Sequence, residues 1–179
     1  IEDGVRRYAG GGYQVAQAWA EEASGEPFAD LMDRLILQPI GMTKSSFAQP
    51  LPSELAAQNV AEASTGDAEM VEGGWHVYPE QAAAGLWTTP SDYARFMLAL
   101  MGAAAGDANL GLDPQIAQEM TTPVAEEYGL GMGLQRPQGD ERRWMHSGSN
   151  KGYRCTARGF PDRSEGIVVR TKHPRGFPL

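Results

Sequence analysis

One cysteine, three histidines, only fifteen Lys and Arg, and no long apolar run mark what this 179-residue sequence has little of. Cys155 by itself permits no internal disulfide, which excludes a disulfide scaffold and leaves the redox compartment open. Fifteen basic residues against 23 acidic ones give a formal net charge of −8. A nucleic-acid partner would require clustered Lys and Arg that are absent, and an anionic membrane surface is disfavoured for the same reason. No stretch approaches the roughly 20 apolar residues of a membrane helix, and no basic start leads into a signal-type apolar segment. His76, His146 and His173 share no metal-ligand spacing with one another or with Cys155, so neither a metal nor another cofactor is expected. What remains is a soluble domain, cytoplasmic or periplasmic, whose 41% hydrophobic content supplies one sizeable core.

Helical signals fill the first two thirds. Tyr13, Ala16, Trp19, Ala20 and Ala23 share one helical face, and Gly25 supplies a stop. Phe28, Leu31, Met32, Leu35 and Ile36 follow the i, i+3, i+4, i+7 template, with Pro27 at the opening and Pro39 as terminator. From Gly41 to about Gly85 the pattern fades into a segment rich in Pro, Ser, Ala and Glu, long enough to suggest a functional loop or lid. Thr89 can cap a further helix, with Pro90 in its first turn and Asp92 at the capping-box position; Tyr93, Phe96, Met97 and Leu100 face inward and Gly102 stops it. A shorter helix is expected at Pro114 to Met120. After Pro123 the period becomes extended, predicting strands at Tyr128–Gln135, Arg142–Ser147, Tyr153–Phe160 and Ile167–Thr171. The separators Gly139-Asp140, Ser149 to Gly152 and Asp162 to Gly166 have turn chemistry, so the strands form an antiparallel meander. The expected organisation is a single domain: 1–125 mainly helical, 126–171 strands and 172–179 an irregular tail.

Two motifs stand out. Trp144-Met145-His146-Ser147-Gly148-Ser149-Asn150 sets a histidine beside a small residue and a glycine near a strand end, and Tyr8-Ala9-Gly10-Gly11-Gly12 opens the first helix. Read with the stretches RYAGGGYQVAQAWAEEASGEPFADLMDRLILQPIGMTKSSF, PEQAAAGLWTTPSDYARFMLAL and HSGSNKGYRCTARGFPDRSEGIVV, they resemble the class C β-lactamases, penicillin-binding proteins and related serine esterases. The esterase-like branch, where the last motif is His-x-Gly instead of Lys-Thr-Gly, is the most similar. The resemblance covers nearly the whole chain to Thr171 and implies a partial penicillin-recognising fold of the mixed α/β (α+β) kind, a helical region followed by an antiparallel meander.

The resemblance also assigns roles. Tyr8 takes the place of the tyrosine that relays the nucleophile's proton to the leaving group, which near neutrality needs adjacent positive charge because a free phenol titrates near about 10. Arg6 and Arg7 adjoin it in sequence, but neighbouring side chains need not point the same way. His146 takes the place of the lysine in Lys-Thr-Gly, Gly148 lets a substrate approach the strand, and the backbone at Ser149 supplies one oxyanion-hole N–H. Ser147 and Asn150 complete the substrate-binding set. Gly10, where Tyr-x-Asn would carry its amide, points toward ester substrates over β-lactams.

The nucleophile is not in the sequence. Three positions on from its serines stand Pro27, Ala48, Gln49, Ala56, Asp67, Ala94, Asn150, Gly152 and Ile167, so no Ser-x-x-Lys exists. There is no Gly-x-Ser-x-Gly elbow either. The chain therefore resembles the C-terminal portion of a larger enzyme, and Lys172 to Leu179, with two prolines, cannot form the amphipathic helix that relatives place after the last strand. Three readings stay open: a β-lactamase- or esterase-type hydrolase whose nucleophile comes from elsewhere, a non-catalytic remnant that binds ligands or partners, and a small hydrolase using Ser147 or Ser149. A sheet lacking cover on one face is expected to pair with a second copy or a complementing chain.

Overall fold

The computed structural model describes residues 7–65, 69–109, 111–137 and 140–172. Residues 173–179 of the expected irregular tail and Gly139 of the first strand separator lie outside them, as does Arg6. Helices come first, then the strands, as the change of period predicts. The elements are α1 (Gly10–Ser24), α2 (Phe28–Met32), a π turn (Asp33–Leu37), α3 (Gln38–Ile40), α4 (Ser53–Ala56), α5 (Gln81–Ala84), α6 (Pro90–Ala104) and α7 (Pro114–Met120). Strands β1 (Gly133–Gln135), β2 (Arg143–Asn150), β3 (Tyr153–Phe160) and β4 (Glu165–Thr171) pair antiparallel in the order β1-β2-β3-β4, the meander that short connections require. None of the described helices is long and apolar enough to cross a membrane.

The core is built on α6. Met97, Leu100, Met101 and Ala103 pack with Ala117 of α7, Met132, Trp144 of β2 and Ala157 of β3. The sheet comes close to this helix because Gly159 has no side chain: a Cβ there would stand 2.8 Å from the Met97 Cε. The start of α6 is tied to the chain after α3 by one carboxylate. Asp92, 1% exposed, accepts from the Lys44 N–H at 2.7 Å, the Ser45 hydroxyl at 2.9 Å and the Arg95 guanidinium at 2.8 Å.

Several boundaries differ from the sequence reading, each for a local reason. Pro39 does not end its helix. Proline can neither donate an N–H nor tolerate the carbonyl four residues back, and the chain meets this by widening into the π turn, where the Gln38 N–H reaches the Asp33 carbonyl. The stop is Gly41 at φ 78°, with Gly41 N–H bonded to Gln38 and Met42 N–H to Leu37, a Schellman closure. Gly102 does not stop α6 either. The glycine that takes positive φ is Gly106, at 101°, and the same closure forms one turn later through Asp107 N–H to the Gly102 carbonyl. Thr89 caps α6 as expected, accepting from the Asp92 N–H at 3.1 Å. The reciprocal half of the box is not made, since the Asp92 carboxylate is spent on Lys44, Ser45 and Arg95.

In α1 none of the residues is buried, and Tyr13 and Trp19 of the apolar stripe are exposed. The helix instead turns Gln17, Ala20 and Glu21 against the protein; the Glu21 carboxylate receives the Phe28 N–H at 2.9 Å. The first strand is shorter than expected because the chain folds back at Gly131, φ 90°, and Leu134 N–H bonds the Glu127 carbonyl. β2 runs three residues past Ser147 because the turn to β3 is only Lys151-Gly152, with Gly152 at φ 85°. A Cβ at Gly152 would lie 2.5 Å from the Ala63 Cβ, so glycine is demanded there by conformation and by space.

Replacing Asp92 by alanine leaves the Lys44 N–H without this acceptor, leaves Ser45 only its Thr88 contact and opens a buried gap, and is expected to cost about 3 kcal/mol. Removing the exposed cap Asp113, which accepts from Gln115 and Ile116 N–H, should cost only about 1 kcal/mol. Urea unfolding of the two alanine variants checks this; equal losses would refute the special position of Asp92.

Candidate functional site

Side chains alternate along β2, and Trp144, in the core, sets its inward face. His146, Gly148 and Asn150 therefore share the helix-facing side of the sheet, while Met145, Ser147 and Ser149 lie on the other. Ser147 points away from His146, as its strand position predicts. His146 is exposed although it shares this side with Trp144 and pairs with the buried Ala157. The strand also has a bare edge here. β1 pairs with β2 only from Arg143 to Met145, whereas β3 pairs with it from Trp144 to Asn150. Among the described residues, one edge of Ser147 to Asn150 thus lies outside any ladder.

Gly148 sits mid-edge without a side chain, and its cross-strand partner explains the vacancy. A Cβ built on Gly148 would stand 2.8 Å from the Cys155 sulfur. Next to Cys155 in the register is Arg170, whose guanidinium lies 5.1 Å from the centroid of the Tyr93 ring. Burial holds the Arg170 pKa below its ordinary value, with Cys155 and Tyr93 acting the other way. Burial likewise raises the Tyr93 phenol, which Arg170 partly opposes. The floor under Gly148 is thus a cation set against an aromatic face and a thiol.

The far end of β2 is clamped to the long irregular segment. Asn150 Nδ2 donates to the Ala84 carbonyl at 2.9 Å, and Lys151 N–H donates to the Tyr78 hydroxyl at 3.1 Å. Tyr153 donates from its hydroxyl to the Ala61 carbonyl at 2.7 Å, and its ring stands edge-on to Trp87 at 6.1 Å, with Trp75 beyond at 5.4 Å from Trp87. The Ser64 hydroxyl bonds the Lys172 carbonyl across to the end of β4. α5 also reaches the other wall, for the Ala82 N–H donates to Gln17 Oε1 of α1 at 3.0 Å.

Tyr8 lies just ahead of α1, 87% exposed, and Gly10 is the first residue of the helix with open space around it. The opening turns of α1 stand near the start of β1, where a Cβ on Gly131 would come 3.4 Å from the Tyr13 hydroxyl. The helix that follows Tyr8 and the bare edge of β2 are therefore the two sides of one region, bridged by α5. Ser149 is exposed and Ser147 and Asn150 are half-buried. Sequence reasoning missed Gln17, Tyr78, Tyr153 and Trp87, because their partners lie 65 or more positions away and no local pattern signals them.

A family model described as beta-lactamase matches residues 2–177. No curated protein matches the chain. Among solved structures, a class C beta-lactamase has a TM-score of 0.78 at 20% identity over 96% of this chain and 54% of its own. An octameric penicillin-binding protein homologue from Pyrococcus abyssi has a TM-score of 0.75 at 20% identity, over 99% of this chain and 41% of its own. SurE has a TM-score of 0.70 at 26% identity, over 94% of this chain and 41% of its own. The chain thus spans about half the length of these structures, or less.

Burial pushes the Tyr153 phenol up to about 12, with Tyr78 and Glu62 adding to the effect. The folded state therefore holds this proton more tightly than the unfolded chain, whose phenol titrates near about 10. The stability Tyr153 contributes is complete below that unfolded value and is lost as pH rises through about 12. Absorbance titration of tyrosinate should show a late-titrating group that Tyr153→Phe removes; an unchanged titration curve would contradict the assignment.

Proposed function

The chain belongs to the beta-lactamase family, and from that premise we propose that it is the part of a serine hydrolase that forms the tyrosine and His-x-Gly walls of an acyl-enzyme site for esters or β-lactam amides. The observation that carries this reading is the edge of β2 from Ser147 to Asn150, which β1 does not pair among the described residues, with no side chain at Gly148. An extended acyl group can lie along such an edge and bond its backbone groups. The Ser149 N–H serves as one oxyanion donor, and Ser147, Gly148 and Asn150 line the seat. His146, exposed on the helix-facing side, is the donor that orients Tyr8 and the substrate's acyl group. Tyr8, at the open end of α1, relays the proton from the attacking serine to the leaving group. Gly10 in place of an amide side chain favours esters.

The attacking serine belongs to a Ser-x-x-Lys segment that these 179 residues do not contain. Without it neither the second oxyanion N–H nor the lysine charge that activates Tyr8 is supplied, so the chain by itself is expected to be inert. The sheet face away from α6, where Ile167 is 54% exposed, is proposed to be covered by a complementing chain or a second copy. Octameric assembly is a property of the Pyrococcus abyssi homologue.

The test uses nitrocefin, p-nitrophenyl esters and a fluorophosphonate probe followed by mass spectrometry. The 179-residue chain should give neither turnover nor adduct. In a protein that combines this chain with a Ser-x-x-Lys segment, the adduct should form on that serine, and Tyr8→Phe and His146→Ala should each lower kcat/KM on the order of a hundredfold or more. Turnover by the chain alone with an adduct on Ser147 or Ser149 would sink this reading in favour of a self-sufficient small hydrolase. No adduct and no turnover in the combined protein would leave a non-catalytic binding module.

A further inference from the structure

The strongest unassigned feature is the way both ends of α5 are held. A four-residue helix cannot satisfy its own first N–H groups or its last carbonyls. In α5 the Gln81, Ala83 and Ala84 N–H groups bond the backbone carbonyls of Pro79 and Glu80, and one remaining N–H and one carbonyl are taken by side chains from opposite walls of the candidate site. The Ala82 N–H goes to Gln17 of α1 at 3.0 Å, and the Ala84 carbonyl goes to Asn150 of β2 at 2.9 Å. Behind the helix, Gly85 closes the turn by donating to the Gln81 carbonyl at 2.9 Å, and a Cβ on Gly85 would strike the Gln81 Cα at 2.6 Å. The Gly85 carbonyl is in turn held by Gln49 Nε2 at 2.8 Å.

We propose that α5 is a spacer that sets the separation between the Tyr8 end of α1 and the bare edge of β2, with Gln17 and Asn150 as its two positioning residues. This rests on the functional reading above, since the walls it spaces are those that carry Tyr8 and the Ser149 N–H. Gln17 need not touch substrate, and the spacer role of Asn150 is separate from its place in the seat. Gln17 acts through Ala82, and the Asn150 carboxamide nitrogen acts through Ala84. A short helix suits the task because its backbone is stiff along the axis and its unsatisfied ends are strong hydrogen-bonding groups at a fixed distance. Misplacement of a reacting wall by about 1 Å can cost on the order of a hundredfold in rate, so a spacer held by two side chains has leverage over turnover.

The test has two arms, one independent of activity. In the 179-residue chain, hydrogen exchange is followed in peptides covering 81–85 and 147–151 for Gln17→Ala, Asn150→Asp and Gln17→Glu. Asn150→Asp removes the donor and sets a carboxylate against the Ala84 carbonyl; Gln17→Glu keeps an acceptor for Ala82. Gln17→Ala should speed exchange about tenfold in both peptides, including 147–151, although Gln17 lies on the opposite wall. Asn150→Asp should do the same, and Gln17→Glu should exchange like the unaltered chain. Exchange in 147–151 unmoved by Gln17→Ala overturns the spacer.

The second arm uses the protein that carries Ser-x-x-Lys together with this chain. Gln17→Ala should lower kcat about tenfold with KM changed less than about threefold, because the walls are displaced while the substrate contacts remain. Faster exchange with unchanged kcat overturns the positioning role and leaves the functional reading standing. If the unaltered combined protein turns over no ester or β-lactam, the functional reading falls, and exchange across the two walls decides the spacer.

Discussion

The arrangement of this chain depends on a single buried carboxylate. Asp92 stands at the first turn of α6, where one carboxylate oxygen reaches across to Lys44 and Ser45 and the other holds Arg95 of the same helix. A buried charge is tolerable only when its hydrogen-bonding capacity is filled, and here a backbone N–H, a hydroxyl and a guanidinium fill it. Ser45 extends the contact to Thr88 at 2.7 Å, so the stretch after α3 and the stretch entering α6 are fastened together. Everything else is referenced to α6. Its inward residues hold β2 and β3 through Trp144 and Ala157, and those strands in turn present the bare edge. Misdirect the start of α6 and both the core and the edge move with it.

The second constraint is the Lys151-Gly152 turn. It closes β2 onto β3 in two residues, and Gly152 fits against Ala63 where any side chain would collide. Close approach leaves this end of the sheet little room to shift. An unpaired strand edge is ordinarily a liability, prone to pair with whatever strand it meets. Here Tyr78, Asn150 and Tyr153 fix its far end while β1 fixes its near end. The bare stretch is only as long as the gap between those two anchors. It is too short to recruit a full strand.

Much of this could be read in the residues. The period change after Pro123, the Thr89-Pro90 opening and the turn chemistry around Gly152 announce helices followed by a meander, because each rests on contacts within a few residues. The failures share a cause. Pro39 and Gly102 look like stops, yet a proline can be absorbed by a π turn and a glycine can stay helical when another, Gly106, takes the left-handed position. Which of two equivalent local signals acts is decided by packing. Likewise the apolar stripe of α1 suggested its packed side, while Gln17 and Glu21 occupy that side because they have backbone N–H groups to satisfy there. The roles of Tyr8 and His146 rest on resemblance alone, and the unpaired edge of β2 beyond Met145 was not legible in the residues, since strand registry is a tertiary property.

The same distinction bears on how an active region can be divided among segments of a chain. The groups proposed for chemistry here are few: Tyr8 stands ahead of a helix, and His146 to Asn150 lie on a strand that β1 pairs only as far as Met145. Such positions leave room for a ligand to approach, but they are also easily displaced. The compensation is built from residues that carry no chemistry. Gln17, Ala82, Ala84 and Asn150 join α1 to β2 through hydrogen bonds whose partners are 65 and 66 positions apart. Bonds of this kind require both walls to be in place, which ties the region to the completed fold. A serine delivered from another segment would then meet walls whose spacing is already fixed, and its placement would reduce to docking one rigid surface against another.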